Sequence, residues 1–305
     1  MNLLVVDIGG TNIRYLEILR GKKNKIIKEK ISSTSKFHNL LNDVISNCLN
    51  PIDNLVISAA GPKSNNSIKM TNQKFKIDSQ IIKKKFNLKN CFLLNDLEAA
   101  GYSLHKISRD NKKIIKKGKK TNSAQVLITP GTGLGLSFVI DNKIVIPSEI
   151  GNSKILISDI INKNKKFSYS NFLKIEDFLS GPGLSKIYKS FYKKDISSSE
   201  VVSQGLNNNP KALKAIKVFL EILAKFLAEI SLIYVPGNGI FLSGSLMRSL
   251  KNFINNNKFE DIFLKQVNKT HRKLLESIEI NFIDKEHLPI HGCIEYFNLT
   301  QKDLS

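Results

Sequence analysis

Short apolar runs alternate with longer amphipathic ones along the whole chain. Residues 3–7 (LLVVD) and 13–19 (IRYLEIL) read as strands joined by a Gly-Gly turn, with a third at 25–30. A run of four or five apolar residues bounded by turn residues marks a buried strand. A helix is expected over 37–49, a buried strand at 55–59 (LVISA), a helix at 78–86, a short strand at 91–94 and a helix at about 97–107. Residues 107–122 are polar, lysine-rich and without periodicity, so an exposed connection is expected there. Beyond it come strands at 125–129, 135–140 and 143–146, then helices at 171–179, 183–192 and 211–234. Another buried strand follows at 239–243 (GIFLS), a helix from about 246, and a C-terminal helix from near 292. In 211–234, Lys214, Lys217, Glu221, Lys225 and Glu229 recur at steps of three and four. They form one wet face of an amphipathic helix, which argues against a membrane span. Strands mixed with helices in both halves predict an α/β fold, and two halves that open alike predict two domains.

Composition changes this picture little. The 305 residues, 41% hydrophobic and 24% charged, suit one large or two medium globular domains. Three widely spaced cysteines with no CxxC pair speak against a structural zinc site and fit a reducing cytosol. No basic region precedes an apolar stretch at the N-terminus, so no secretory signal is expected and the chain reads as cytoplasmic, with no membrane partner. The formal charge of +21 raises the alternative of a nucleic-acid partner. The lysines are dispersed and not interleaved with aromatic residues that could stack on bases, so no specific nucleic acid is expected. The densest cluster, 112–120 (KKIIKKGKK), falls in the expected connection.

Chemistry enters with the glycines. Two strand-turn-strand units carry glycine-rich turns, Asp7-Ile8-Gly9-Gly10-Thr11-Asn12 and Pro130-Gly131-Thr132-Gly133-Leu134-Gly135. A third, Ser243-Gly244-Ser245, joins a strand to a helix. Glycine amides can approach an anion without a Cβ in the way, and Thr11, Asn12 and Thr132 add side-chain donors. Taken alone, each is more often a plain turn than a phosphate site. The second turn is followed by a strand, not the helix that a dinucleotide fingerprint requires, and the P-loop lysine is absent. Asp7 beside a phosphate turn either caps the turn or faces phosphate through hydrated Mg²⁺. Asn95-Asp96 taken alone is a helix cap, and a lone Glu176 in a helical stretch is a solvated face.

The order of these pieces is more specific than any one of them. DIGGTNIR at 7–14, MTNQKF at 70–75, LLNDLEAAGYSL at 93–104, PGTGLG at 130–135, PSEIGN at 147–152, LSGPGL at 179–184 and GIFLSGS at 239–245 follow one another over nearly the full length. The set resembles a bacterial glucokinase, of the hexokinase/actin-like ATPase superfamily. The resemblance implies two ribonuclease-H-like α/β domains with a cleft between them. It places residues 1–106 plus 291–305 in a small domain and 107–290 in a large one, with glucose at the hinge and ATP with Mg²⁺ across the larger domain. It implies that Asp96 is the base for the 6-hydroxyl, and that Asn95, Glu149, Asn152 and Glu176 bind the sugar with Thr71 and Asn72. It further implies that Gly9, Gly10, Thr11, Asn12, Gly131, Thr132 and Gly133 hold phosphates, that Gly244 and Ser245 lie beside the adenosine, and that Asp7 faces Mg²⁺ through water. The family often forms homodimers.

Two departures from the family pattern stand out. Where the family reads Glu-Gly-Gly-His, this chain has Glu149-Ile150-Gly151-Asn152, so Asn152 replaces the sugar-contacting histidine and Ile150 replaces a glycine. Ser245 stands where a second glycine is common. The expected activity is phosphorylation of glucose at its 6-hydroxyl, feeding glycolysis. The alternatives are a kinase for another hexose and a catalytically weak nucleotide- or sugar-binding regulator of the same fold.

Overall fold

The structure, a computed structural model, describes residues 2–31, 37–48, 50–70, 76–154 and 172–302. It divides into two units, Met1–Lys106 with His287–Ser305, and Ile107–Glu286.

The first unit is built on a sheet whose strands are β1 (Asn2–Ile8), β2 (Asn12–Leu19), β3 (Lys22–Lys23), β4 (Ile27–Lys30), β5 (Asn54–Ala59) and, later in the chain, a strand over Asn90–Asn95. A small antiparallel sheet intervenes, formed by β6 (Lys63–Ser64), β7 (Ser67–Lys69) and β8 (Lys76–Asp78), which makes Asn90–Asn95 β9. In the main sheet the order is β3-β2-β1-β5-β9, with β4 also on β2. β1 runs antiparallel to β2 and parallel to β5, and β5 runs parallel to β9. β1 and β5 are apolar on both faces because helices cover both, the pattern expected of interior parallel strands. Leu40, Leu41 and Val44 of α1 (Phe37–Ser46) and Ile82 of α2 (Ser79–Lys85) complete the core with Leu4, Val6, Ile57 and Leu93. α3 (Asp96–Tyr102) starts directly from the end of β9.

The second unit repeats this plan. Its sheet joins β10 (Lys112–Lys116), β11 (Gln125–Pro130), β12 (Leu134–Ile140), β13 (Ile144–Ser148), β14 (Ile240–Leu242) and β15 (Ile280–Ile283) in the order β10-β15-β14-β11-β12-β13. As in the first unit, an antiparallel meander (β11-β12-β13) is followed by parallel strands (β14, β15) on the other side of its first strand. The same strand order in both sheets is the duplicated ribonuclease-H-like arrangement of the hexokinase/actin-type fold. Between β13 and β15 come α4 (Gly181–Tyr192), α5 (Ser198–Leu206), α6 (Pro210–Tyr234), α7 (Ser245–Leu250), α8 (Asn256–Leu264) and α9 (Lys269–Ser277). α6 buries Phe219, Leu223, Phe226, Leu227 and Ile230, and its charged residues face away from that core. α10 (Leu288–Lys302) belongs to the first unit and packs on α3.

Several sequence expectations need correction. Residues 112–116 are not an exposed connection but β10, paired antiparallel with β15. Lys116 is fully buried: its Nζ donates to the carbonyls of Lys117, Glu276 and Ile278 at 3.0, 2.9 and 2.9 Å. Its ammonium thus satisfies orphan carbonyls at the end of α9, while burial pulls its pKa below the ordinary lysine value. The helix expected over 171–179 is, in its described part, one 3₁₀ turn at Ile175–Asp177. The C-terminal helix starts at Leu288, four residues before the expected Gly292. α5, α8, α9 and β15 have no counterpart in the sequence reading.

Candidate active site

In the first unit, strand register assembles the acidic end of the first glycine turn. Asp7 on β1 lies opposite Arg14 on β2 and opposite Ser58 on β5. Arg14 Nη1 donates to Asp7 Oδ2 at 3.2 Å and Ser58 Oγ to Asp7 Oδ1 at 3.1 Å. Asp7 is buried, and desolvation raises its pKa against the opposing pull of Arg14 and Ser58. In the turn itself the Gly9 N–H donates to the Asn12 carbonyl at 2.9 Å, and Asn12 Nδ2 donates to Thr11 Oγ1 at 2.8 Å. The Gly9 amide therefore closes the turn and does not offer its N–H to a ligand. Thr11 is exposed at the tip.

Asn95 and Asp96 sit where β9 passes into α3. Asn95 is the N-cap: its Oδ1 accepts from Leu97 N at 2.9 Å and Glu98 N at 3.4 Å, and Glu98 Oε2 accepts from Asn95 N at 3.1 Å. This is a complete capping box. Asn95 Nδ2 also donates to the Gly61 carbonyl at 2.8 Å, which leaves one amide hydrogen for any further partner. Asp96 is half-buried in the first turn, its Oδ1 accepting from Leu97 N at 3.1 Å. A carboxylate there is favoured by the helix dipole. Thr71 and Asn72 lie outside the described residues.

In the second unit, Glu149, Asn152 and Glu176 are brought together through a residue the sequence reading missed. The backbone of Ile175 donates to the Ser153 carbonyl at 3.0 Å, stitching the segment after β13 to the 3₁₀ turn. Asn152 Nδ2 donates to Glu149 Oε2 at 3.2 Å. Lys174 Nζ donates to Asn152 Oδ1 at 2.9 Å and also pairs with Glu176 Oε1. The Glu176 contact raises the Lys174 pKa. Leu134 N donates to Glu176 Oε2 at 3.3 Å. A Cβ on Gly133 would sit 2.8 Å from that oxygen, and one on Gly151 would sit 3.2 Å from it and 2.6 Å from the Leu134 carbonyl. Gly151 is required by the Leu134 backbone, and Gly133, which sequence reasoning gave to a phosphate, lies against the Glu176 carboxylate. No local pattern marks Lys174 in a chain with so many lysines; only its position two residues before Glu176 could have done so. Ile150 packs partly buried against the core, which fixes this loop without a glycine.

Around Glu176, Ser180 caps α4, accepting from Gly183 N at 3.0 Å and donating to the Glu176 carbonyl at 2.6 Å. Asp177 accepts from the amides of Leu173 and Lys174 at 2.9 and 3.1 Å and pairs with Lys186. The SGPGL segment is therefore a helix start that locks the Glu176 turn in place.

Gly131 differs from the other glycines. Its φ is not in the left-handed region, and a Cβ on it would meet nothing within 4 Å. Its N–H donates to the Gly133 carbonyl at 2.8 Å, as Gly9 does in the first turn, and its carbonyl accepts from Gly181 N at 2.7 Å. Neither packing nor conformation requires glycine there, so the open space over the turn fits a group that approaches the backbone closely, as a nucleotide phosphate does. Thr132 is exposed beside it. Gly244, by contrast, is held at φ +106 with the Pro130 carbonyl 2.9 Å from a would-be Cβ, and Ser245 opens α7. For Mg²⁺ the donor set is sparse: among the described residues no group of three or more His, Cys, Asp or Glu could hold a metal. Asp7 fits a water-mediated role, because each of its oxygens keeps a lone pair beyond the Ser58 and Arg14 contacts.

The duplicated fold, the two glycine turns and the carboxylate cluster define a sugar kinase of the hexokinase/actin-like class. The chain belongs to the glucokinase family, whose profile matches residues 4–299. A glucokinase of Colwellia psychrerythraea is 25% identical over 325 residues, covering 97% of this chain and 96% of that protein. Among solved structures, a glucokinase from an Antarctic psychrotroph superposes with a TM-score of 0.82 at 18% identity, covering 98% of this chain and 99% of the other. The glucokinase of Balamuthia mandrillaris in complex with glucose gives 0.73 at 19% identity, covering 97% and 93%. Both structures are similar in fold.

Proposed function

We propose that this enzyme transfers the γ-phosphoryl group of ATP to the 6-hydroxyl of glucose. The observation that carries this reading is the Glu149–Asn152–Lys174–Glu176 cluster in the second unit, a set of hydrogen-bonding groups suited to vicinal hydroxyls. The carboxylates accept hydrogens from the sugar, and Asn152 provides both a donor and an acceptor. Asp96 takes the proton of the 6-hydroxyl as that oxygen attacks phosphorus. Asn95 holds Asp96 in place through the α3 cap and has one amide hydrogen left for the sugar; Thr71 and Asn72 are further sugar contacts by the family pattern. In the second unit Gly131 and Thr132 are phosphate contacts, and in the first unit Gly10, Thr11 and Asn12 are. Gly244 and Ser245 flank the adenosine. Mg²⁺, held through water near Asp7, would neutralise charge on the phosphate oxygens. We place the protein in the cytoplasm; no helix among the described residues is long and apolar enough to cross a membrane.

The test is a coupled assay for ADP release over a panel of hexoses, run on the parent and on Asp96→Asn. Glucose-dependent turnover that falls by about 10²–10⁴-fold in the variant, with ATP still bound, is expected for loss of a general base. Undiminished turnover in Asp96→Asn removes the base assignment. A parent without turnover on any hexose favours a sugar- or nucleotide-binding regulator.

A further inference from the structure

The carboxylates of the second unit present only acceptors, whereas a hexose hydroxyl offers both a hydrogen and lone pairs. A clamp of glutamates alone would bind the hydrogens and leave the sugar oxygens without a donor. Lys174 sits where such a donor is needed. Its ammonium carries three hydrogens, of which Asn152 Oδ1 and Glu176 Oε1 take two. The third remains for a ligand oxygen. The side chain is neither a loose surface ion pair nor a buried strut: its relative exposure is 36%, that of Glu176 is 25%, and its two partners come from separate segments stitched by the Ile175–Ser153 hydrogen bond. In the family pattern a histidine contacts the sugar where this chain has Asn152, and the cation bound to Asn152 here is Lys174.

We propose that Lys174 is a specificity-determining residue of the hexose site, donating a hydrogen bond to one sugar hydroxyl and fixing Asn152 and Glu176 around it. The proposal rests on the hexose-kinase reading. It places a positive donor between acceptors, so the site selects a hydroxyl that gives its hydrogen to a glutamate and accepts one from Lys174. A sugar lacking that one hydroxyl leaves the ammonium without its third partner, the asymmetry by which polar sites discriminate most strongly.

The experiment compares the parent, Lys174→Met, Lys174→Arg and Lys174→Gln, each assayed with glucose and with the set of singly deoxygenated glucoses. In Lys174→Met the KM for glucose should rise about 10- to 100-fold, the range for losing a charged hydrogen bond, with kcat within about threefold and the KM for ATP unchanged. For one deoxy-sugar the penalty relative to glucose, present in the parent, should shrink in Lys174→Met to the part carried by the glutamate and persist in full in Lys174→Arg. If Lys174→Met does not fold, Lys174→Gln, whose shorter neutral amide is a weaker donor than the ammonium, should show the same penalty reduced. Deoxy-sugar penalties that are the same in all variants overturn the proposal, as does an equal loss in Lys174→Arg and Lys174→Met, which would mark a purely structural ion pair. A parent that turns over no hexose overturns the kinase reading and this proposal with it; a parent that turns over glucose while the variants show unchanged penalties overturns this proposal alone.

Discussion

At the scale of single residues, Gly131 and Asp7 separate demands of folding from demands of function. Nothing in the fold asks for glycine at 131, since a Cβ there meets open space. Gly131→Ala should therefore leave the thermal midpoint within about a degree, consistent with a surface change worth under ~0.5 kcal/mol. Its KM for ATP should rise at least tenfold, because the new methyl group stands where the phosphate approaches. An unchanged KM for ATP would show that the turn is only a turn. Asp7 presents the opposite balance. Burial disfavours its charged form more than Arg14 and Ser58 favour it, so its pKa in the fold lies above the ordinary aspartate value. A carboxyl with a raised folded pKa contributes stability while protonated and loses it as pH rises through that folded value. Asp7→Asn should therefore raise the melting temperature at pH 7, and the gain should shrink as the pH falls toward 4, while activity is lost. A lower melting temperature in the variant at neutral pH would mean that the Arg14 attraction outweighs desolvation.

At the scale of elements, the placement of Asp96 depends on how closely two helices approach. α10 crosses α3 at Gly292, where a Cβ would lie 1.5 Å from the Ala99 carbonyl and 3.2 Å from Ser103 N. No side-chain adjustment can relieve a clash with backbone, so Gly292→Ala must push α10 away from α3. Overpacking ordinarily costs ~1–3 kcal/mol, more when backbone moves, and the helix-propensity gain of alanine offsets only about 1 kcal/mol. A net loss of at least about 2 kcal/mol by urea denaturation is expected, together with a fall in kcat as the first turn of α3 shifts. A variant as stable as the parent would mean that the two helices can separate freely. The same scale explains the misread lysine cluster at 112–120. Lys116 reads as a solvated cation until the end of α9 and the residue just beyond it bring the Glu276 and Ile278 carbonyls beside that of Lys117. Glu276 and Ile278 are 160 and 162 residues away in the chain, so no local pattern could have found them.

At the scale of the whole molecule, the net charge of +21 acts on stability through mutual repulsion of lysines spread over the surface. Raising ionic strength from about 0.01 M to about 0.15 M shortens the Debye length from about 30 Å to about 8 Å. The melting temperature should rise over that interval, and retention on nucleic acid, if seen at low salt, should vanish. A melting temperature that falls with salt would mean that attractive ion pairs such as Lys189–Asp195 and Lys251–Asp284 outweigh the repulsion. The repeated sheet order was foreshadowed by two halves that open with the same strand-glycine-strand pattern, since apolar runs on either side of a short glycine turn specify a hairpin locally.

The amino-acid sequence alone determined the class of fold, the two glycine turns, the Asn95-Asp96 step into a helix and the family. Each of these is written in contiguous residues whose backbone preferences and apolar spacing act over a few positions. Only the tertiary structure decided which of the turn glycines stand against a neighbouring group and which face open space. A Cβ on Gly133 would crowd the Glu176 carboxylate and one on Gly151 the Leu134 carbonyl; Gly9 and Gly131 each close their own turn through the N–H, and of these four Gly131 alone has open space where a Cβ would stand. Only the tertiary structure, too, brought Lys174 to Asn152, because the contact joins segments 22 residues apart through a backbone hydrogen bond that neither segment specifies by itself. Hydrogen-bond partners between distant segments follow from packing, and packing is settled by the whole core at once.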